Sequence, residues 1–188
     1  MPAFCEARYL GYKEMNDDVK IPVKGHFLTS SELLQDSKWA KTFEGGPLMI
    51  ARLCPVDYHR FHFPDDGKIL SAYPIAGRFH SVNPIALKEK PDIFITNERF
   101  VTILETENFG KLAYIEVGAT CVGKIVQSRP LHGDFKRGEE KGYFLFGGST
   151  VVLLGEKGKW SPSELMLEKT NAGMEVYHQL GSSLAHKS

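Results

Sequence analysis

Two short stretches of this chain bring together residue types that could do chemistry. The first, residues 52–64 (RLCPVDYHRFHFP), places Asp57, Tyr58, His59, Arg60 and His62 between Pro55 and Pro64. Proline fixes φ and restricts the residue before it, so this segment is extended or turning, and the two histidines do not share a helix face. Imidazoles titrate near neutral pH and suit proton transfer. As a zinc pattern HxxH is weak without further ligands, which Cys54 or Asp57 would have to supply; on spacing alone, two histidines in a rigid loop is the better reading. The second stretch, residues 142–154 (GYFLFGGSTVVLL), sets Gly147, Gly148 and Ser149 inside an apolar run. Glycine interrupts a strand for a bulge, a close approach or a strained peptide. Without a Cβ beside it, the Gly148 carbonyl is open to the Ser149 hydroxyl. Taken alone, a β-bulge with a satisfied serine is the plainer outcome. Residues 147–151 read GGSTV, so the GxSxG elbow of esterases is absent, as is a phosphate-loop GKS or GKT.

The elements that must position these residues read mostly as strands. Leu48–Leu53 is a compact apolar run, and Leu112–Val117 alternates as a half-buried strand does. Residues 92–105 (DIFITNERFVTILE) predict a hairpin of two apolar strands around Thr96-Asn97-Glu98. Residues 122–127 and 143–154 supply two more strands, the second interrupted at Gly147-Gly148, and residues 130–139 form a polar, glycine-studded turn. Residues 28–41 (LTSSELLQDSKWAK) predict one short helix, with Ser30 or Ser31 as cap and Glu32 in the first turn. Ser161-Pro162-Ser163-Glu164 starts another, before a weaker strand-like stretch at 174–180. The expectation is a mainly β fold with one to three short helices: one domain over 1–188, an antiparallel sandwich or partly open barrel.

Composition bounds the function. The 188 residues suffice for one real core. With 23 basic and 23 acidic side chains the formal charge is zero, so nothing in the balance favours a nucleic acid partner. Hydrophobic residues at 42% and charged residues at 24% exclude a disordered chain, and 18 glycines with 10 prolines favour turns over a helix bundle. Three scattered cysteines, Cys5, Cys54 and Cys121, imply neither a disulfide framework nor a CxxC metal knuckle; a reducing compartment is the easier expectation. No run reaches the ~20 apolar residues of a membrane span, and the first residues lack the regions of a signal peptide. The expectation is a cytoplasmic or membrane-peripheral protein.

In sum, the chain resembles the phosphatidylserine decarboxylases, which are pyruvoyl-dependent enzymes. The resemblance is carried by PVDYHRFHFP (55–64), SVNPIAL (81–87), TNERFV (96–101), VGATCVGKI (117–125) and FGGSTVVLL (146–154), in family order from residue 47 to about 180. It implies that Ser149 Oγ attacks the Gly148 carbonyl, that the zymogen cleaves itself into 1–148 and 149–188, and that position 149 becomes a pyruvoyl group. A serine hydroxyl is a weak nucleophile and needs a base oriented by an acid. The resemblance gives His62 as that base and Glu6 as the orienting acid, in a short motif (AFCEAR, 3–8) where Asp is usual. His59 is given as the proton donor in decarboxylation, with Asp57, Tyr58 and Arg60 as scaffold.

The implied activity is that of a carboxy-lyase of phospholipid biosynthesis, converting phosphatidylserine to phosphatidylethanolamine and CO2. Two alternatives stay open: a pyruvoyl decarboxylase of a soluble amino acid, and an unprocessed relative acting as a binding protein. No metal and no nucleic acid are implied. The mature form would be a heterodimer of its own two fragments, with further dimerisation and peripheral membrane contact open. The chain departs from the family pattern at Lys124, usually a small polar residue, and at Gly155, usually apolar or aromatic. It also begins almost at the acidic motif, so the expected front end is shorter than in typical members.

Overall fold

The structure, a computed structural model, describes residues 1–15, 28–83, 85–86, 92–119, 124–145 and 149–188. Among these, strands dominate: β1 (Ala7–Tyr12), β2 (Leu48–Leu53), β3 (Arg60–His62), β4 (Gly67–Ile75), β5 (Arg99–Thr106), β6 (Gly110–Val117) and β7 (Lys124–Gln127). After them come β8 (Gly133–Phe135), β9 (Glu140–Leu145), β10 (Ser149–Gly155), β11 (Trp160–Pro162), β12 (Val176–His178) and β13 (Ala185–Lys187). The helices are α1 (Ser30–Leu34), α2 (Ser37–Phe43), α3 (Ile93–Thr96) and α4 (Glu164–Asn171).

The apolar runs sit at the centre of the largest sheet, ordered β12-β1-β2-β10-β6-β5-β4-β8, with every pair antiparallel. One of its two middle strands, β10, is buried along its whole length. Val152 lies between Ile50 and Ile115 in register, and each such fully buried side chain contributes roughly 1.5–3 kcal/mol. A second sheet, β3-β9-β7, joins this core through Phe61, whose ring lies 6.1 Å from Tyr114 of β6 and 5.0 Å from Phe144 of β9. Gly142 of β9 has no room for a side chain: a Cβ there would meet the Val126 carbonyl oxygen at 2.2 Å. The small pair β11-β13 completes a mainly antiparallel β architecture of sandwich type, and the sheets do not close into a barrel.

Several local expectations are corrected. Residues 28–41 form two helices: Gln35 turns left-handed (φ 49°), and Asp36 restarts the chain by accepting the Trp39 N–H. The first helix is capped by Thr29 rather than Ser30 or Ser31, in a capping box with Glu32. The expected hairpin over 92–105 is half helix. Ile93–Thr96 coils into α3, burying Ile93 and Phe94, and only Arg99–Thr106 is strand. A four-residue apolar run does not distinguish helix from strand by period. Here tertiary partners decide, because the buried Arg99 guanidinium caps the carbonyls of Ile95 and Asn97 as well as Glu32 and Leu33 of α1. Residues 143–154 are not one interrupted strand but the ends of two, β9 in the small sheet and β10 in the large one. Gly155 has its reason too: a Cβ would stand 2.1 Å from the Trp160 indole nitrogen, so the indole fills the space of the missing side chain.

Candidate active site

Ser149 opens β10, opposite Leu53 of β2 and one step before the Thr150–Val117 pair with β6. It is fully buried. Cys54–His59 leads from β2 to β3 just beyond this row, and the loop is fastened at several points. Asp57 is nine-tenths buried; its Oδ2 accepts the Cys54 N–H at 2.6 Å and an Arg8 N–H at 2.6 Å. The His59 carbonyl accepts the Phe144 N–H at 3.0 Å, tying the loop to β9. Arg52 grips Glu175 with two N–H groups and reaches the Cys54 sulfur with a third, at 3.0 Å. So held, His59 Nδ1 lies 3.5 Å from Ser149 Oγ. His59 Nε2 is buried with no partner, leaving a ring that can exchange a proton with position 149 on one side.

His62 is held differently. Its N–H donates to the Phe4 carbonyl at 2.7 Å and its ring stacks on Tyr58, centroids 6.1 Å apart. Nδ1 is 3.0 Å from the Gly138 carbonyl oxygen. A carbonyl only accepts, so Nδ1 carries the hydrogen and Nε2 of the neutral ring keeps a lone pair. That nitrogen is buried and unpartnered. His62 is thus held with one ring nitrogen engaged and the other unpartnered. The histidine that meets Ser149 in this structure is nevertheless His59; no hydrogen bond joins His62 to Ser149.

Glu6 stands beside Cys5, which bridges Phe61 of β3. Its carboxylate takes the Tyr177 hydroxyl, and that hydrogen bond is the chief reason the Tyr177 hydroxyl titrates above its ordinary value. No hydrogen bond or ion pair joins Glu6 to His62. Arg60 pairs with both carboxylate oxygens of Glu140 at 2.8 Å and lies over the Tyr143 ring, turned outward from the site. Gly148, Gly147 and Cys121 lie outside the described residues. Among the described residues, no group of three or more His, Cys, Asp or Glu side chains is placed to hold a metal, and no helix is long and apolar enough to cross a membrane.

One contributor escaped the sequence reading. Asn97, fully buried, accepts the His80 N–H at 2.9 Å and donates to the carbonyls of His80 (2.8 Å) and Gly118 (2.7 Å). It laces two loops together at the Ser149 end of the large sheet, where Gly118 follows the Val117–Thr150 pair. The TNERF segment held the signal. A polar residue between apolar runs also reads as a turn, and that reading concealed the clamp.

Comparison with known proteins gives the family. The phosphatidylserine decarboxylase family model matches residues 1–179. A phosphatidylserine decarboxylase proenzyme of Clostridium perfringens (strain SM101 / Type A) is 41% identical over 182 residues, covering 97% of this chain and 62% of the relative. The proenzyme of Clostridium tetani (strain Massachusetts / E88) is 42% identical over 183 residues, with the same coverage, and that of Ruminiclostridium cellulolyticum is 40% identical over 181 residues, 96% of this chain and 60% of the relative. The chain thus spans about three fifths of the length of these curated relatives. With a match over nearly the whole sequence and a buried serine beside the histidine loop, the chain belongs to the phosphatidylserine decarboxylase family.

Proposed function

We propose that the chain is the catalytic part of a self-processing, pyruvoyl-dependent phosphatidylserine decarboxylase, a carboxy-lyase that releases CO2 from phosphatidylserine and leaves phosphatidylethanolamine. The observation that carries this reading is the approach of Ser149 Oγ to His59 Nδ1, 3.5 Å apart at the buried head of β10, in a chain of this family.

In self-cleavage, Ser149 Oγ loses its proton to a base and adds to the Gly148 carbonyl. The C–N bond breaks, the Ser149 nitrogen takes up the proton, and an ester replaces the peptide. Loss of the Ser149 α-proton then expels the Gly148 carboxylate, separating 1–148 from 149–188. The dehydroalanine left at 149 gains water and loses ammonia. The base is His62, supported by its fixed tautomer with a free Nε2 lone pair. A second reading, favoured by the observed contact, gives that step to His59.

A pyruvoyl group fits position 149: the side chain is fully enclosed and the His59 ring is its polar neighbour. Such a group supplies an electron sink for the bond to the departing carboxylate. His59 holds the proton that the substrate carbon needs afterwards, and a histidine can deliver it near neutral pH. Asp57, through Arg8 and Cys54, keeps that loop in place. The resemblance gives Glu6 as the orienting acid of the processing step; with its carboxylate taken by Tyr177, Glu6 acts on His62 only indirectly, through the Cys5–Phe61 bridge beside it. The substrate brings an amino acid headgroup on a lipid, so the protein works in peripheral contact with a membrane as a heterodimer of its two fragments.

The deciding assay follows CO2 release from carboxyl-labelled phosphatidylserine in vesicles and from free amino acids. Release from the lipid, lost in His59→Ala, supports the reading. Cleaved protein that releases CO2 only from a free amino acid would overturn the lipid substrate.

A further inference from the structure

Between the two sheets lies a buried ion pair that the reaction above does not use. Lys141 Nζ is 2.6 Å from Glu116 Oε1 and 2.8 Å from Gln127 Oε1. Both charged side chains are essentially inaccessible (2% and 0%), the only ion pair among the described residues of which that is true. The rings of Phe61, Phe100 and Tyr114 surround the ammonium at 5.6, 5.8 and 5.2 Å from their centroids. An ion pair so enclosed is poor evidence for stability, because desolvation offsets its attraction. Its placement is the informative part.

Lys141 is the extra residue of a β-bulge in β9. Phe61 faces Gly142 and His62 faces Glu140, so Lys141 has no partner on β3 and its side chain crosses into the core at the step that carries His62. Glu116 is on β6, directly opposite Val151 of β10, two residues after Ser149. The pair therefore runs from the strand hydrogen-bonded to the histidine segment to the strand hydrogen-bonded to the serine segment. The same strand β9 also accepts the histidine loop, through Phe144 N–H and the His59 carbonyl.

We propose that Lys141 and Glu116 are positioning residues, a charge-balanced strut that sets the spacing between the histidine-bearing sheet and Ser149 for self-cleavage. This rests on the reading of Ser149 as the residue of self-cleavage. The strut must be balanced because each partner alone would be a lone buried charge. Burial holds Lys141 below its ordinary value, where Glu116 opposes the shift; burial likewise raises Glu116, where Lys141 opposes it. The other titratable groups behind them are Tyr114 of β6 and, beyond its ring, Cys5 and Tyr9, all kept protonated by burial. Outward along β9, Glu140 is engaged by Arg60 and Ser128.

The test follows self-cleavage by gel in wild type, Lys141→Met, Glu116→Gln and Lys141→Met/Glu116→Leu, each with its melting temperature and each well below it. The single variants are expected to cleave at least tenfold more slowly while folded, with opposite pH trends. Glu116→Gln gains rate as pH rises and Lys141 discharges; Lys141→Met gains rate as pH falls and Glu116 takes up a proton. The double variant, with no lone charge, cleaves at least tenfold faster than either single. Folded single variants that cleave at the wild-type rate, rates that track melting temperature with an unchanged pH profile, or a double variant as slow as the singles would overturn the strut. A wild-type protein that never cleaves overturns instead the reading of Ser149.

Discussion

His59 and His62 stand three residues apart, yet the fold treats them as parts of two different regions. His59 ends a loop fastened by Asp57, Arg8 and β9, and its Nδ1 comes within 3.5 Å of Ser149 on the large sheet. His62 belongs to the small sheet, its ring pinned by the Gly138 carbonyl and the Tyr58 face. Spacing made the two look interchangeable. The hydrogen-bond partners separate them: one faces the Ser149 hydroxyl, and the other gives its Nδ1–H to a backbone carbonyl and leaves Nε2 unpartnered.

Removing each ring in turn separates the two roles. His62→Ala is expected to slow self-cleavage by roughly 10²–10⁴, the usual contribution of a general base, read as uncleaved chain on a gel over time. His59→Ala should still cleave, within about tenfold of wild type, while CO2 release from the cleaved protein falls by roughly 10²-fold or more. Should the two variants exchange these behaviours, His59 is the self-cleavage base and the second reading stands. A gentler change addresses the His59 region alone. Asp57→Asn removes the charge from the half-exposed Arg8 contact and is expected to cost about 1 kcal/mol in chemical denaturation, with slower decarboxylation and little change in cleavage. Smallest of all is Glu6→Gln. With the carboxylate engaged by Tyr177 and no hydrogen bond to His62, cleavage should slow by about threefold, near 0.6 kcal/mol of barrier. A loss near that of His62→Ala would show that Glu6 and His62 act as a unit.

Much of this was legible in the residues. The apolar runs gave β2 and β10, because a strand buried on both faces needs little but continuous hydrophobic sequence; β6 was read from its alternation as half-buried, and the structure buries residues 112–117 on both faces. Ser163 before Glu164 marked the start of α4 through its cap. What failed was short and decided at a distance. Arg99, the first residue of β5, holds the Ile95 and Asn97 carbonyls at the end of Ile93–Thr96 and is itself anchored on the Glu32 and Leu33 carbonyls of α1, far away in sequence; a four-residue window carries no trace of that. The division of 143–154 between two sheets could not be read either, since Gly147-Gly148 marks a break without saying which sheet follows. At the site, residue types and spacing alone favoured a rigid loop and a plain bulge; the family resemblance singled out Ser149 and both histidines. Which histidine faces the serine, the Asn97 clamp and the Lys141–Glu116 pair depend on contacts between strands far apart in sequence, where local pattern has no purchase.

The most direct test is the intact mass of the purified protein beside that of Ser149→Ala. Self-cleavage at the Gly148–Ser149 bond predicts two species, 1–148 and 149–188, for the wild type and one uncut chain for the variant. A wild-type protein that remains a single 21.1 kDa species, unchanged after hydroxylamine, would contradict the account.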